Sequence, residues 1–192
     1  MDDCILVQKV IDDNDHKAFA ELMEKYQRTV VITCRGFVTS YHEAEDLAQD
    51  VFVELYESLP GFRKESKLST WIYRIAVNKS LNHLRKKKRE TSIFSLNLFN
   101  KSDGKETTFQ IVSTDDTEAD YSIVSSENKR LLKEAINKLP ENQRVAIILS
   151  KYQDLSYKEI AEVMDVSISS VESLLFRAKT NLRKYLVDYQ KK

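Results

Sequence analysis

Tyr157-Lys-Glu-Ile-Ala-Glu-Val-Met-Asp-Val-Ser-Ile-Ser-Ser-Val-Glu-Ser-Leu174 decides the fold. Its apolar residues keep helical spacing to Met164, break over Asp165-Val-Ser167, and resume from Ile168. The reading is helix, short polar turn, helix. Ile160, Met164, Val166, Val171 and Leu174 are the expected shared core, and small Ala161 leaves room for a close crossing. Ser156 stands three residues before Glu159, the spacing of a capping box, and Ser169 and Glu172 repeat it. Asp165 fills a turn position where Gly is commoner, and Asp can visit the left-handed region at some cost. Such a helix-turn-helix places its second helix in the major groove of DNA. The plainer alternative is an ordinary helical hairpin.

Working outward, the chain of 192 residues contains only 3 Gly and 2 Pro, and Leu, Ile, Lys and Glu are abundant. Few breakers and many helix formers predict an all-α protein. Residues 1–90 read as a run of helices, with Phe19, Leu22, Met23 and Tyr26 on one face and Leu47, Val51, Phe52 and Leu55 on another. Leu59 to Lys67 reads as a loop. A new helix follows from Leu68, with Ser69 or Thr70 able to cap it, and runs on through Leu81 and Leu84. From about Thr91 to Ser126 the periodicity fades into Ser, Thr, Asp and Asn, which predicts a flexible polar linker. Helices resume from Glu127, with Pro140 in the first turn of one of them. The last helix is expected to end near Tyr185 or Leu186. The expected architecture is two helical domains, 1–90 and 127–192, with the helix-turn-helix in the second.

The formal net charge is zero, with 30 basic and 30 acidic residues, yet the charge is segregated. Tyr41 to Pro60 holds six carboxylates and no Lys or Arg. Trp71 to Glu90 holds seven Lys or Arg against Glu90 alone. Such blocks predict several distinct partner surfaces. The basic helix also carries Trp71, Tyr73, Asn78 and Asn82, and aromatics and amides can engage unpaired bases beside phosphate-binding cations. For Trp71, burial in the core is an equal alternative to stacking on a base. The acids of Tyr41 to Phe52 cannot serve nucleic acid. They fit a basic partner protein, or else a solvated face. In the second helix of the motif, Arg177 suits a guanine or a phosphate, Ser173 a base edge or phosphate, and Phe176 a thymine methyl. The plainer reading gives Phe176 to the core and Arg177 to solvent.

Several of these segments, in this order, resemble the extracytoplasmic-function (ECF) group of bacterial RNA polymerase sigma factors. Glu43-Ala-Glu-Asp-Leu-Ala-Gln-Asp-Val-Phe52 looks like the family's polymerase-binding helix, and Ser69-Thr-Trp-Ile-Tyr-Arg-Ile-Ala-Val-Asn78 like its promoter-melting helix. Leu139-Pro-Glu-Asn-Gln-Arg144 and Leu155-Ser-Tyr-Lys-Glu-Ile-Ala161 look like its second domain. The resemblance implies that Asp46, Gln49, Asp50 and Phe52 dock on the clamp helices of the largest subunit of core RNA polymerase. It implies that Phe62, Lys64, Lys67, Trp71, Asn78, Asn82, Arg85 and Lys86, with the following basic cluster, serve the −10 element of promoter DNA. It implies that Ser169, Ser170, Ser173, Phe176, Arg177 and Lys179 serve the −35 element. It further implies an anti-sigma factor as a partner. The chain departs from housekeeping sigma factors in having Trp71-Ile72 where they carry two adjacent tryptophans, which implies weaker melting. Asn82 stands where many relatives have Asp, and Glu172 and Leu174 where many have basic residues.

Other classes fit less well. His16, His42 and His83 are scattered and suggest no nucleophile–base pair, so neither an enzyme nor a small-molecule substrate is expected. Cys4 and Cys34 form no metal-ligand pattern and read as reduced thiols, and no metal or cofactor is expected. No apolar run has the length of a membrane span, and Met1-Asp-Asp-Cys4 lacks a basic signal-peptide start. The expected location is therefore cytoplasmic, without direct membrane insertion. Two rivals stay open: a conventional helix-turn-helix regulator, and a sigma mimic that binds a regulatory protein.

Overall fold

The computed structural model describes residues 2–99 and 123–190, and these are helical apart from short connections. The elements are α1 (Asp3–Asp13), α2 (His16–Arg35), α3 (Tyr41–Ser58), a short 3-10 turn (Leu59–Gly61), α4 (Leu68–Phe99), α5 (Ile123–Asn137), α6 (Glu141–Tyr152), α7 (Tyr157–Met164) and α8 (Ile168–Gln190). The all-α class and the pair of helical domains are as the sequence predicts.

Polar residues set the helix starts. Asp15 accepts from the backbone N–H groups of Lys17 (2.9 Å) and Ala18 (3.2 Å) and so begins α2. Ser40 begins α3 in the same way. The first core is built from α1 to α4. Leu6, Val7, Leu22, Val30, Val51, Leu55, Leu59 and Ile72 are at most 1% exposed there, and burying each such side chain contributes about 1.5–3 kcal/mol. Cys34 joins this core, and burial pushes its thiol up to about 11. Cys4 lies exposed at the surface. Charged residues fasten α3 to α4 from outside: Lys79 reaches Glu54 at 2.7 Å, and His83 and Lys87 both reach Glu43, at 2.7 and 2.8 Å. Burial would raise the Glu43 pKa, but the hydrogen bonds from Lys87 and His83 outweigh it and the carboxyl lies below its ordinary value.

The second core gathers α5 to α8 around Ile148, Leu149, Ile160, Val171, Leu175 and Ala178. It also takes in Phe37, Tyr73 and Val77 from the first domain, so the two domains are packed together. α4 serves both cores, through Leu68, Ile72 and Ala76 on one side and Tyr73 and Val77 on another.

Some expected boundaries move. α4 continues past Thr91 to Phe99, and no Gly or Pro between Leu68 and Phe99 breaks it. α5 starts at Ile123, four residues before the predicted start. The rest of the predicted linker, 100–122, lies outside the described residues. α4 begins at Leu68, so Ser69 and Thr70 are inside its first turn rather than at its cap. α8 runs to Gln190, beyond the predicted end.

Candidate nucleic-acid interface

The helix-turn-helix forms where the sequence places it. Ser156 and Glu159 make a complete capping box at α7, and Asp165 ends that helix in the left-handed region at φ 54°. The cap of α8 differs from expectation. Ser167 accepts from the Ser170 N–H at 3.2 Å and also bonds the hydroxyls of Ser169 and Ser170. The turn serine is thus the cap, and the Ser169–Glu172 spacing is incidental. Val166 is 38% exposed and does not enter the core; Val163 and Leu175 do.

On α8, Ser169, Ser173, Phe176 and Thr180 recur at three- and four-residue steps on the exposed face. Ser170 and Arg177 lie on one flank, Lys179 on the other. Phe176 is 73% exposed, which rejects the core alternative for it. Thr180, which the sequence pattern does not single out, shares this face and is held by a 3.0 Å hydrogen bond to the Phe176 carbonyl. Lys179 also borders an apolar groove formed with Leu132, Leu182, Leu186 and Val187.

The basic helix offers a second exposed face. Asn78, Asn82, Arg85 and Arg89 recur along α4 at helical spacing, and all are exposed or half-exposed. Trp71 starts this face but is partly buried. Its indole meets the Phe62 ring edge-on at 5.3 Å, and its Nε1 donates to Ser58 Oγ at 3.4 Å. Phe62 is 8% exposed and belongs to the first core. Of the residues expected at the −10 surface it is thus the one that lies inward, where its ring braces Trp71. Its loop neighbours Lys64 and Lys67 are exposed. Lys64 adopts a left-handed backbone at φ 59° and donates to Gln8 at 2.8 Å. Lys86 is exposed beside Glu90, at 4.0 Å.

On α3 the outer stripe is Asp46, Gln49, Asp50 and Val53. Asp46 and Asp50 present polar groups outward, and Val53 is 57% exposed. Phe52 is 4% exposed within the core. Expected as a docking group, it faces inward one residue before Val53, which takes the outward place. An exposed Val between two acids was the signal in the sequence, obscured because Val51, Phe52 and Val53 read as one apolar run.

Two carboxylates of the second domain lie against cations of the first. Glu141 accepts from Arg85 at 3.2 and 2.6 Å, and this hydrogen bond, before all else, holds its carboxyl below the ordinary value. Glu159 reaches Lys67 at 3.3 Å. Its carboxyl is also held low, by Ser156 first and then by Lys67.

A helix-turn-helix and a basic helix beside an acidic stripe are set together in one chain, and comparison with known proteins gives the class. Residues 22–90 match the family model for Sigma-70 region 2, and residues 129–182 that for Sigma-70, region 4. The ECF RNA polymerase sigma-E factor of Haemophilus influenzae is 36% identical, over 92% of this chain and 91% of that one. The ECF RNA polymerase sigma factor SigW of Bacillus subtilis is 31% identical, over 94% of this chain and 95% of that one. In fold the chain resembles CnrH, solved in complex with the cytosolic domain of CnrY, with a TM-score of 0.68, 20% identity and 97% of each chain covered. It also resembles RpoE of Bartonella quintana, solved in complex with the anti-sigma factor NepR, with a TM-score of 0.65, 22% identity and coverage of 88% of this chain and 97% of that one. The chain belongs to the ECF family of RNA polymerase sigma factors.

Proposed function

We propose that this chain is an alternative sigma factor that acts in the cytoplasm. It docks on core RNA polymerase through Asp46, Gln49, Asp50 and Val53, and it directs the enzyme to promoters with a −35 and a −10 element. The single observation that carries this reading is one chain holding an exposed acidic stripe and two separate DNA-type faces. A conventional operator-binding regulator has no use for the stripe, and a sigma mimic has none for the DNA faces. The protein performs no covalent chemistry in this role. Its work is to place the polymerase and to favour the open duplex, with Trp71 held ready by Phe62 and Ser58. No helix among the described residues is long and apolar enough to cross a membrane. An anti-sigma factor is a fitting partner, since RpoE of Bartonella quintana, similar in fold, was solved with the anti-sigma factor NepR.

The test is reconstituted transcription with purified core polymerase, this chain and genomic DNA, with start sites mapped. Discrete new starts that depend on the chain are expected, and none at all would sink the reading. In the same system Arg177→Ala is expected to cost about 1–3 kcal/mol of promoter affinity if the guanidinium makes a two-pronged base contact. The side chain is exposed, so folding stays intact. Competition between promoters altered base by base at the −35 element reads this out. Equal affinity of variant and parent would remove Arg177 from that role.

A further inference from the structure

Glu172 stands on the outer side of α8 without a structural task. It is exposed, three residues after Ser169 and four before Phe176, on the flank that also carries Lys179. Ser167 caps α8 through the Ser170 N–H, so the carboxylate has no part in holding the helix start. It has no cation within helical reach either. Ile168 and Phe176 stand four residues to either side of it, and Ser169 and Leu175 three. No hydrogen bond or ion pair among the described residues engages it. Leu174, the other place where many relatives have a basic residue, packs against the second core. Of the two departures, only Glu172 is left facing outward.

A free carboxylate on a DNA-facing helix can meet few groups. Phosphate is anionic and repels it. Along the major groove, guanine N7 and O6, adenine N7 and thymine O4 are acceptors and repel it as well. Only the exocyclic amines, adenine N6 and cytosine N4, donate. Adenine N6 lies between two acceptors, its own N7 and the thymine O4 across the pair. Cytosine N4 has an acceptor on one side alone, the guanine O6, and a carbon-bound hydrogen on the other. A carboxylate can approach cytosine from that open side. The place in the helix suits this contact, since the early residues of the second helix reach base edges and Glu172 falls in the second turn of α8.

Phe176 fixes what lies beside that cytosine. It follows Glu172 by one helical turn, about 5.4 Å along the axis, and stacked base pairs are about 3.4 Å apart. The two side chains therefore meet base pairs one or two steps apart. The Phe176 ring is exposed and suits a thymine methyl. Arg177 and Lys179 lie further along α8 and carry the positive charge that holds the duplex.

We propose that Glu172 is a specificity-determining residue: its carboxylate accepts from a cytosine N4 amine in the −35 element, one or two base pairs from a thymine whose methyl packs on Phe176. The role rests on the −35 assignment of α8 made above. Glu172 acts by rejection as much as by attraction. Guanine or thymine at its position sets an acceptor against it, and its charge weakens binding to unrelated DNA.

The experiment is a selection from duplex DNA of random sequence, with the bound fraction sequenced, using the full chain alone and assembled on core polymerase. The parent is expected to enrich a motif in which cytosine is preferred at one position about fivefold to tenfold, with thymine within two steps. Glu172→Gln is expected to turn that one position from cytosine to adenine, because an amide pairs with adenine N6 and N7 together. The other positions stay as they were. Glu172→Ala is expected to admit all four bases there and to bind unrelated DNA more tightly. The side chain is exposed, so both variants are expected to fold. A carboxylate that only repelled phosphate would leave both variants with tighter binding and the parent's motif, and that result would overturn the base contact. So would identical motifs and affinities for all three chains, or enrichment of no sequence by any of them. A motif selected by the chain alone, with no transcription on polymerase, would instead sink the sigma-factor reading, while the Glu172→Gln shift would still decide the contact.

Discussion

Asp46→Lys combined with Asp50→Lys is expected to weaken binding to core RNA polymerase on the order of a hundredfold, because like charges brought together at an interface cost several kcal/mol. Both carboxylates lie exposed on the outer stripe of α3; Asp46 takes no part in fastening α3 to α4, while Asp50 acts only through its charge on Lys79, which pairs with Glu54. The fold is therefore expected to survive, with a slightly lowered melting temperature. The same argument makes Val53 the apolar centre of the stripe, since charged rims steer an encounter while desolvated groups hold it. Val53→Ala is expected to raise the dissociation rate, and the charge reversal to slow association as well, most strongly at low salt. Surface-coupled core polymerase and a salt series measure all of this. Normal assembly of the double lysine variant would dismiss the acidic stripe as a docking surface.

The behaviour of this stripe shows what the sequence could and could not convey. α7 was legible to the residue because three independent signals agree there: Ser156 and Glu159 at capping distance, an apolar periodicity, and Asp165 able to turn left-handed. Agreement across levels of this kind marks a well-specified segment. Val51-Phe52-Val53 was not legible in the same way. Three successive apolar residues on a helix point in three directions, and only packing against α2 and α4 decides which two are buried. Phe62 escaped for a related reason. A loop position says nothing about burial, and an aromatic in a loop can serve as the floor under Trp71. The seam between the domains lay furthest from reach. Tyr73, Val77, Leu81 and Leu84 form a clear stripe, yet a stripe says only that something covers it, not which element does. Gly36 carried no sign at all, since its backbone is ordinary and its purpose is the space left for Ile148.

The basic end of α4 is expected to divide into unequal parts when its charges are removed one at a time. Lys87 is tied to Glu43 at 2.8 Å and fastens α3 to α4. Lys88 lines the cleft beside Arg85 and Glu141. Lys86 and Arg89 are exposed, along the side that Asn78 and Asn82 also present. Every phosphate that goes unneutralised lowers the slope of log affinity against log salt by about 0.9 for duplex DNA. Lys86→Gln with Arg89→Gln is therefore expected to flatten the slope of holoenzyme binding to promoter DNA by about 1.8, so that between low and moderate salt the variant loses about tenfold less affinity than the parent does. Lys87→Gln is expected to leave that slope alone and to destabilise the first domain slightly, because Glu43 loses one of its two partners. The same substitution removes a hydrogen bond that holds Glu43 below its ordinary value. A carboxyl with a depressed folded-state pKa stabilises the fold above its unfolded pKa, and this contribution disappears as pH falls through the folded value. Lys87→Gln is thus expected to narrow the stability difference between neutral and acidic solution, while Lys86→Gln leaves it as it was. Equal slopes for the parent and the Lys86–Arg89 double variant would make that end of α4 ordinary solvated charge and shift the burden of −10 binding onto Arg85, Lys67 and Lys64.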